Sequence, residues 1–119
     1  MNPELILVDD DNVLLIVLQR MIRKVDPDIR LSMFSSGQEA LAYLSHDPEP
    51  VNSRVLLVDI NLKDISGWEL LNELEARKDK FTKVILITSS VSSSNYETAK
   101  KYVPVIGFLK NPSLLHTRV

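Results

Sequence analysis

A chain of 119 residues, 45% hydrophobic and 25% charged, has the size and composition of one soluble globular domain with a real core. A formal net charge of −2 without basic blocks gives nothing that would hold nucleic acid by charge, and the lack of cysteine excludes disulfides and thiolate metal sites. The start MNPELILV has neither a basic region nor a cleavage site, and the longest apolar run, Val13–Leu18, is too short to span a bilayer, so a cytoplasmic, single-domain protein is expected over 1–119.

The first expected strand is Leu5–Val8, and three acids follow it without a break: Asp9, Asp10 and Asp11. Residues 12–24 have a helical period that places Val13, Leu14, Val17, Leu18, Met21 and Ile22 on one face. Leu15 and Ile16 widen that stripe, either for burial or as a contact surface. Asp26-Pro27-Asp28 is a loop, and Ile29–Phe34 reads as the second strand. Ser36 and Glu39 form a capping box for a helix over 37–46 that gathers Ala40, Leu41 and Leu44. His46–Ser53, with Pro48 and Pro50, is a loop.

Val55–Val58 is the third strand, followed by Asp59, and a helix over 67–77 groups Leu70, Leu71 and Leu74. Trp68 at its start is a packing residue, partly exposed. Val84–Thr88 is the fourth strand, with Ser89 after it. A second capping box, Ser94 with Glu97, opens a weaker helix over 94–103 that carries Tyr96, Ala99 and Val103, with Lys100 and Lys101 on a solvated face. Val105–Leu109 is the fifth strand. Only Pro112–Val119 remain after Asn111, at most about two turns of a short fifth helix. His46 and His116 fall in loop and tail, and neither is assigned to a metal.

Strands that are continuous rather than alternating, with helices between them, imply a parallel sheet covered on both faces and right-handed crossovers. Five strands in this length suit a flavodoxin-like, doubly wound α/β fold with strand order 2-1-3-4-5. Ligands in such sheets sit beyond the carboxyl ends of the strands, near the switch between the first and third. That topology brings Asp9, Asp10 and Asp59 together. Capping explains Asp11, but capping alone needs no acids on adjacent strand ends. Close carboxylates repel and raise one another's pKa values, and a hard cation such as Mg²⁺ relieves this with oxygen ligands. Thr88 and Ser89, one strand away, offer a hydroxyl and backbone N–H groups to a phosphoryl oxygen.

The pieces ILVDDDN, LLVDINLKDISGWELL, ILITSS and VIGFLKNP stand in the order and spacing of a known family from about residue 4 to 112. The chain resembles a two-component response-regulator receiver domain of the stand-alone, chemotaxis-regulator-like kind. The resemblance implies a signalling switch rather than an enzyme, with Asp59 as the phosphoacceptor. It implies Mg²⁺, or Mn²⁺, held directly by Asp10 and Asp59, through water by Asp9, and by the Asn61 carbonyl. Thr88 would move to the phosphoryl group and Phe108 would follow it, while Gly67 would allow a tight turn. The implied partners are a histidine kinase or phosphotransfer protein, with no direct nucleic-acid or membrane contact. A short fifth helix would leave apolar surface beside the first, which a partner chain, in the simplest case a second copy, would cover.

Other classes fit less well. A haloacid-dehalogenase-type phosphatase needs an acid where Asn61 stands, and a flavodoxin needs a hydroxyl-rich loop where Asp9–Asn12 stands. A receiver-like interaction module that is never phosphorylated stays open, because of two departures, the short fifth helix and the residue before Pro112. Receivers carry a Lys-Pro pair after the fifth strand, whereas Asn111 precedes Pro112 here and the lysine, Lys110, comes one place early. Strand alternation turns Asn111 rather than Lys110 to the site unless a bulge intervenes. Coupling of Asp59 to Thr88 and Phe108 is then expected to be weaker than in a lysine-bearing receiver.

Overall fold

The computed structural model describes residues 3–46, 50, 52–88, 97–102 and 105–110, with backbone alone for Thr88 and for 108–110. Eight elements follow in the order β1 (Glu4–Val8), α1 (Asn12–Val25), β2 (Leu31–Phe34), α2 (Gly37–His46), β3 (Arg54–Asp59), α3 (Gly67–Ala76), β4 (Thr82–Thr88) and β5 (Val105–Lys110). Residues 97–99 form a helical turn, closed by hydrogen bonds from Lys101 N–H to Thr98 O and from Tyr102 N–H to Ala99 O. The rest of the expected fourth helix, with its Ser94 cap, and the expected fifth helix lie outside the described residues.

All pairings are parallel and the order is β2-β1-β3-β4-β5. This is the expected flavodoxin-like sheet. Its central strands are apolar on both sides because both sides are covered. Ile6, Val8, Leu56, Val58, Val84 and Leu86 face α2 and α3 and pack on Ala40, Leu44, Leu70, Leu71 and Leu74. Leu7, Leu57 and Ile87 point the other way, onto Leu14, Leu15 and Leu18 of α1.

Helix α1 corrects the sequence reading. Leu14, Leu15 and Leu18 are buried, whereas Val13, Val17 and Met21, expected in the same face, are exposed, as is Ile16. The helix is apolar around well over half its circumference, so periodicity alone cannot choose the inward side. The two candidate stripes differ by a rotation of one residue, about 100°. The structure turns Leu14, Leu15 and Leu18 inward, with Ile22 packed against their cluster as expected, and leaves Val13, Ile16 and Val17 outside.

Strand limits shift by one or two residues. Asp59 is the last residue of β3 rather than the first beyond it, and β2 begins at Leu31, after Arg30. Half of the Ser36–Glu39 capping box is formed: Glu39 N–H donates to Ser36 Oγ at 3.2 Å, while Glu39 Oε1 accepts from the Ser36 hydroxyl, at 3.2 Å.

Candidate functional site

The three consecutive acids after β1 have three different tasks. Asp11 is the N-cap of α1, and its Oδ1 accepts from Val13 N–H at 3.0 Å and Leu14 N–H at 3.2 Å. Asp10 is half-buried, and its Oδ2 accepts from Lys63 N–H at 3.0 Å, across from the loop that follows β3. Asp9 is 1% exposed. Its Oδ1 accepts from Asp11 N–H at 2.8 Å, and its Oδ2 is buried without a donor among the described residues.

Asp59 reaches the same place from the end of β3. Val8 and Val58 are register partners, so Asp9 and Asp59 leave neighbouring strands at the same level. One oxygen from each of Asp9, Asp10 and Asp59 lies within 4.8 Å of the others. Asn61 N–H donates to Asp59 Oδ1 at 2.9 Å, and among the described residues no donor meets the second oxygen of Asp59. No lysine, arginine or histidine pairs with these carboxylates among the described residues.

The electrostatics follow from that geometry. Burial pushes the Asp9 carboxyl up to about 6; the charges of Asp59, Asp10 and Asp11 add to the shift, and the Asp11 N–H opposes it. Asp59 is raised too, first by burial and then by the charges of Asp10 and Asp11, against the Asn61 N–H. A buried carboxylate oxygen with no donor, in a group of three converging acids, is the donor set of a hard divalent cation. The residues therefore fit Mg²⁺ or Mn²⁺.

One glycine keeps the backbone close behind the acids, and a second makes room for a side chain of the loop that follows β3. A Cβ on Gly67 would lie 2.9 Å from Ile60 Cα and 3.1 Å from Asp59 O, so the start of α3 rests directly on the backbone of the candidate phosphoacceptor. The reason for this glycine is space. No described glycine has positive φ, so it is not a conformational need of the turn. On Gly37 a Cβ would meet Ile65 Cγ1 at 2.5 Å. Sequence reading missed Lys63 and Asp64 because both act across the fold. Lys63 anchors Asp10. Asp64 accepts from Gly37 N–H at 3.1 Å and Gln38 N–H at 2.9 Å, and so caps α2 from a distant loop. Burial opposes ionisation of Asp64, but four backbone N–H groups outweigh it and hold its carboxyl below the usual range.

Thr88 ends β4, one residue beyond Ile87, the register partner of Asp59. Its backbone is therefore at the right edge and one strand away. The β4–β5 register shifts between Val84↔Val105 and Ile85↔Gly107, which leaves Ile106 as an extra β5 residue, and then runs regularly to Thr88↔Lys110, so the irregularity lies before Phe108 and none separates Phe108 from Lys110. The side chains of Thr88, Phe108 and Lys110, and all of Ser89, Asn111 and His116, lie outside the described residues. His46 ends α2 and is exposed, far along the sequence from the acids. Trp68 is half-buried and stacks on Tyr102 with ring centroids 6.0 Å apart. Lys100 pairs with Glu97 at 3.5 Å on an exposed face.

This sheet order is the flavodoxin-like one, here with carboxylates gathered at the ends of its first and third strands. Residues 5–113 match the response regulator receiver domain family, and the chain belongs to that family. It is 26% identical over 115 residues to the chemotaxis protein CheV2 of Helicobacter pylori, covering 96% of this chain and 36% of that one. The chain thus spans about a third of that relative's length. Solved structures of similar fold include a two-component response regulator from Cytophaga hutchinsonii (TM-score 0.83, 21% identity, 98% of this chain and 92% of that one). Another is the chemotaxis response regulator CheY4 of Vibrio cholerae (TM-score 0.76, 22% identity, 98% and 96%). No described helix is long and apolar enough to cross a membrane.

Proposed function

We propose that the chain is a phosphorylation-controlled signalling receiver in which Asp59 accepts a phosphoryl group from a histidine kinase or phosphotransfer protein. The observation that carries this reading is the convergence of Asp9, Asp10 and Asp59 within 4.8 Å, with Asp9 Oδ2 buried and undonated among the described residues. Asp10 and Asp59, with Asp9 behind them and the Asn61 carbonyl as a further ligand, would hold Mg²⁺ or Mn²⁺; when bound, the ion neutralises the carboxylates and the phosphoryl oxygens. The chain's own groups do the rest. Asn61 N–H fixes one oxygen of Asp59 and so aims the other outward. That oxygen forms the new O–P bond as the N–P bond of the donor phosphohistidine breaks, and the imidazole keeps the electron pair. Catalysis of this kind is positioning and charge neutralisation, so no general base is needed. Thr88 is assigned to the phosphoryl oxygens, Phe108 to the change that follows, and Asn111 to the place of the family's lysine.

Exposure to acetyl phosphate with Mg²⁺, read by intact mass, tests the reading. One phosphoryl group is expected on the parent, labile to hydroxylamine, and none on Asp59→Asn. A parent that never gains mass favours the second reading, an interaction module that signals without phosphate, for which Asn111 in place of lysine speaks.

A further inference from the structure

At the opposite edge of the sheet, where the strands begin, Glu4, Arg30, Tyr43, His46, Asn52 and Arg54 line a cavity of about 210 Å³. Arg54 opens β3, and its side chain is 2% exposed. Its guanidinium makes no hydrogen bond among the described residues. The nearest carboxylate, Asp79, is 3.8 Å away and already accepts from Phe81 N–H at 2.8 Å, Thr82 N–H at 3.0 Å and Thr82 Oγ1–H at 2.8 Å. Glu4 is the register partner of Arg54, but its Oε2 is taken by Ser32 Oγ–H at 2.9 Å and by the Tyr43 hydroxyl.

Two residues of this lining carry unmet groups. Among the described residues, Arg54 Nε is a buried donor without an acceptor, and Asn52 Oδ1 is a buried acceptor without a donor. Buried polar groups are very rarely left this way, because each then keeps its full desolvation cost. A ligand that satisfies both must accept from a guanidinium and donate to an amide oxygen. Arg30 adds a second guanidinium, so two cationic groups stand against the one carboxylate of Glu4, whose Oε2 already accepts from two hydroxyls, and the lining favours a negative ligand. The space exceeds that of a single water several-fold.

We propose that this cavity binds a small oxyanion that retains a hydroxyl, of which hydrogen phosphate is the simplest. Its oxygens accept from Arg54 Nε–H and from Arg30, and its hydroxyl donates to Asn52 Oδ1. This site is separate from the Asp59 edge and does not depend on the receiver reading.

The discriminating probe is inorganic phosphate against sulfate, on the isotopically labelled full chain in Mg²⁺-free buffer at constant ionic strength. Sulfate has the same shape but no hydroxyl near neutral pH. Saturable amide shifts are expected at Glu4, Tyr43, Asn52 and Arg54 with phosphate, and sulfate should bind about tenfold more weakly, the worth of one lost hydrogen bond. Asn52→Asp, which sets a carboxylate against the anion, should abolish the shifts. Arg54 is buried and its replacement can unfold the chain, so the exposed Arg30→Gln serves as the second variant and should weaken phosphate several-fold. Asp59→Asn should change none of this. Equal responses to phosphate and sulfate, shifts confined to the Asp9–Asp59 edge, no saturable response, or a crystal structure grown in phosphate with only water in the cavity would each overturn the proposal.

Discussion

Asp64 and Gly37 are 27 residues apart in the chain and joined by a 3.1 Å hydrogen bond, the glycine N–H donating to the carboxylate. Gln38 N–H completes the cap at 2.9 Å. The loop from Ile60 to Ser66 therefore ties three things together: Asp59 at its start, Asp10 through Lys63, and the first turn of α2 through Asp64. Removing the carboxylate with Asp64→Ala should cost about 1 to 2 kcal/mol, the range of a lost N-cap. Asp64→Asn should retain much of it. Urea unfolding of the three proteins checks this. The lowered carboxyl adds a sign: its stabilisation is present above the ordinary pKa of 3.8 and fades as pH falls below that.

Gly67→Ala places a methyl against backbone, which cannot move aside like a flexible side chain. Destabilisation of about 1 to 3 kcal/mol is expected from the forced shift. Because the strained contact is with Ile60 Cα and Asp59 O, Mg²⁺ affinity should fall together with stability. Calorimetric titration beside thermal unfolding separates this from a purely structural loss, in which affinity per folded molecule would be unchanged.

The acid cluster makes stability depend on pH in the opposite direction to Asp64. The folded-state pKa of Asp9 is raised from 3.8 to about 6, so the folded chain holds its proton more tightly than the unfolded chain. That contribution is fully present below about pH 4 and is lost as pH rises through 6. Asp59 acts in the same sense. In metal-free buffer, stability should therefore fall between pH 4 and 7, by on the order of 3 kcal/mol if Asp9 alone is counted. Saturating Mg²⁺ should flatten or reverse that slope, since the ion favours the ionised acids. Asp9→Asn should remove most of the metal-free dependence; a slope unchanged in Asp9→Asn would refute the assignment to this carboxyl.

Helix α1 offers a test of its own orientation. Leu14→Ala, Leu15→Ala and Leu18→Ala should each cost about 2 to 5 kcal/mol, as truncations of buried leucine do. Val13→Thr, Val17→Thr and Met21→Gln should stay within about 0.5 kcal/mol of the parent, as surface changes do. The reverse pattern in denaturation midpoints would mean that the helix is rotated by one residue.

Lys78 has φ of 54° and follows the C-cap of α3, where its N–H donates to Glu75 O at 3.0 Å and Asp79 N–H donates to Leu74 O at 3.1 Å. This is a Schellman turn with lysine at the position that favours glycine. Left-handed backbone costs a non-glycine residue about 1 to 2 kcal/mol, and glycine gives back about 0.5 to 1 of that in unfolded-state entropy. Lys78→Gly should therefore raise stability, by up to about 1 kcal/mol, in thermal unfolding.

The sheet was legible in the sequence because Leu5–Val8, Val55–Val58 and Val84–Thr88 are apolar on both faces, which only strands covered on both sides require. The three acids were legible because strand order follows from the β-α alternation, and order alone places Asp59 beside Asp9 and Asp10. The inward face of α1 was legible only in part: Leu14, Leu18 and Ile22 were placed on it, but the apolar stripe is wider than the buried face, so Val13, Val17 and Met21 could not be told from Leu15. Asp64 and Lys63 were hidden for another reason: each acts on a group more than twenty-five residues away, and no local spacing records such a bond. The purpose of Gly67 was misread for the same cause, its neighbours being backbone seven and eight residues back rather than its own turn. Arg54 gave no sign at all, because an arginine at a strand start ordinarily reaches solvent.

The stack of Trp68 on Tyr102 has a practical consequence. Trp68 is the sole tryptophan of the chain, and it follows the glycine that rests on Asp59 and Ile60. Its ring lies at 18° to that of Tyr102, whose hydroxyl donates to Asn72 Oδ1 at 2.9 Å. One indole thus touches both α3 and the segment that leads into β5. Its emission is a built-in optical gauge of the spacing between them, sensitive to quenching and to energy transfer from the tyrosine, and any event at Asp59 that moves either element can be followed by light without a label.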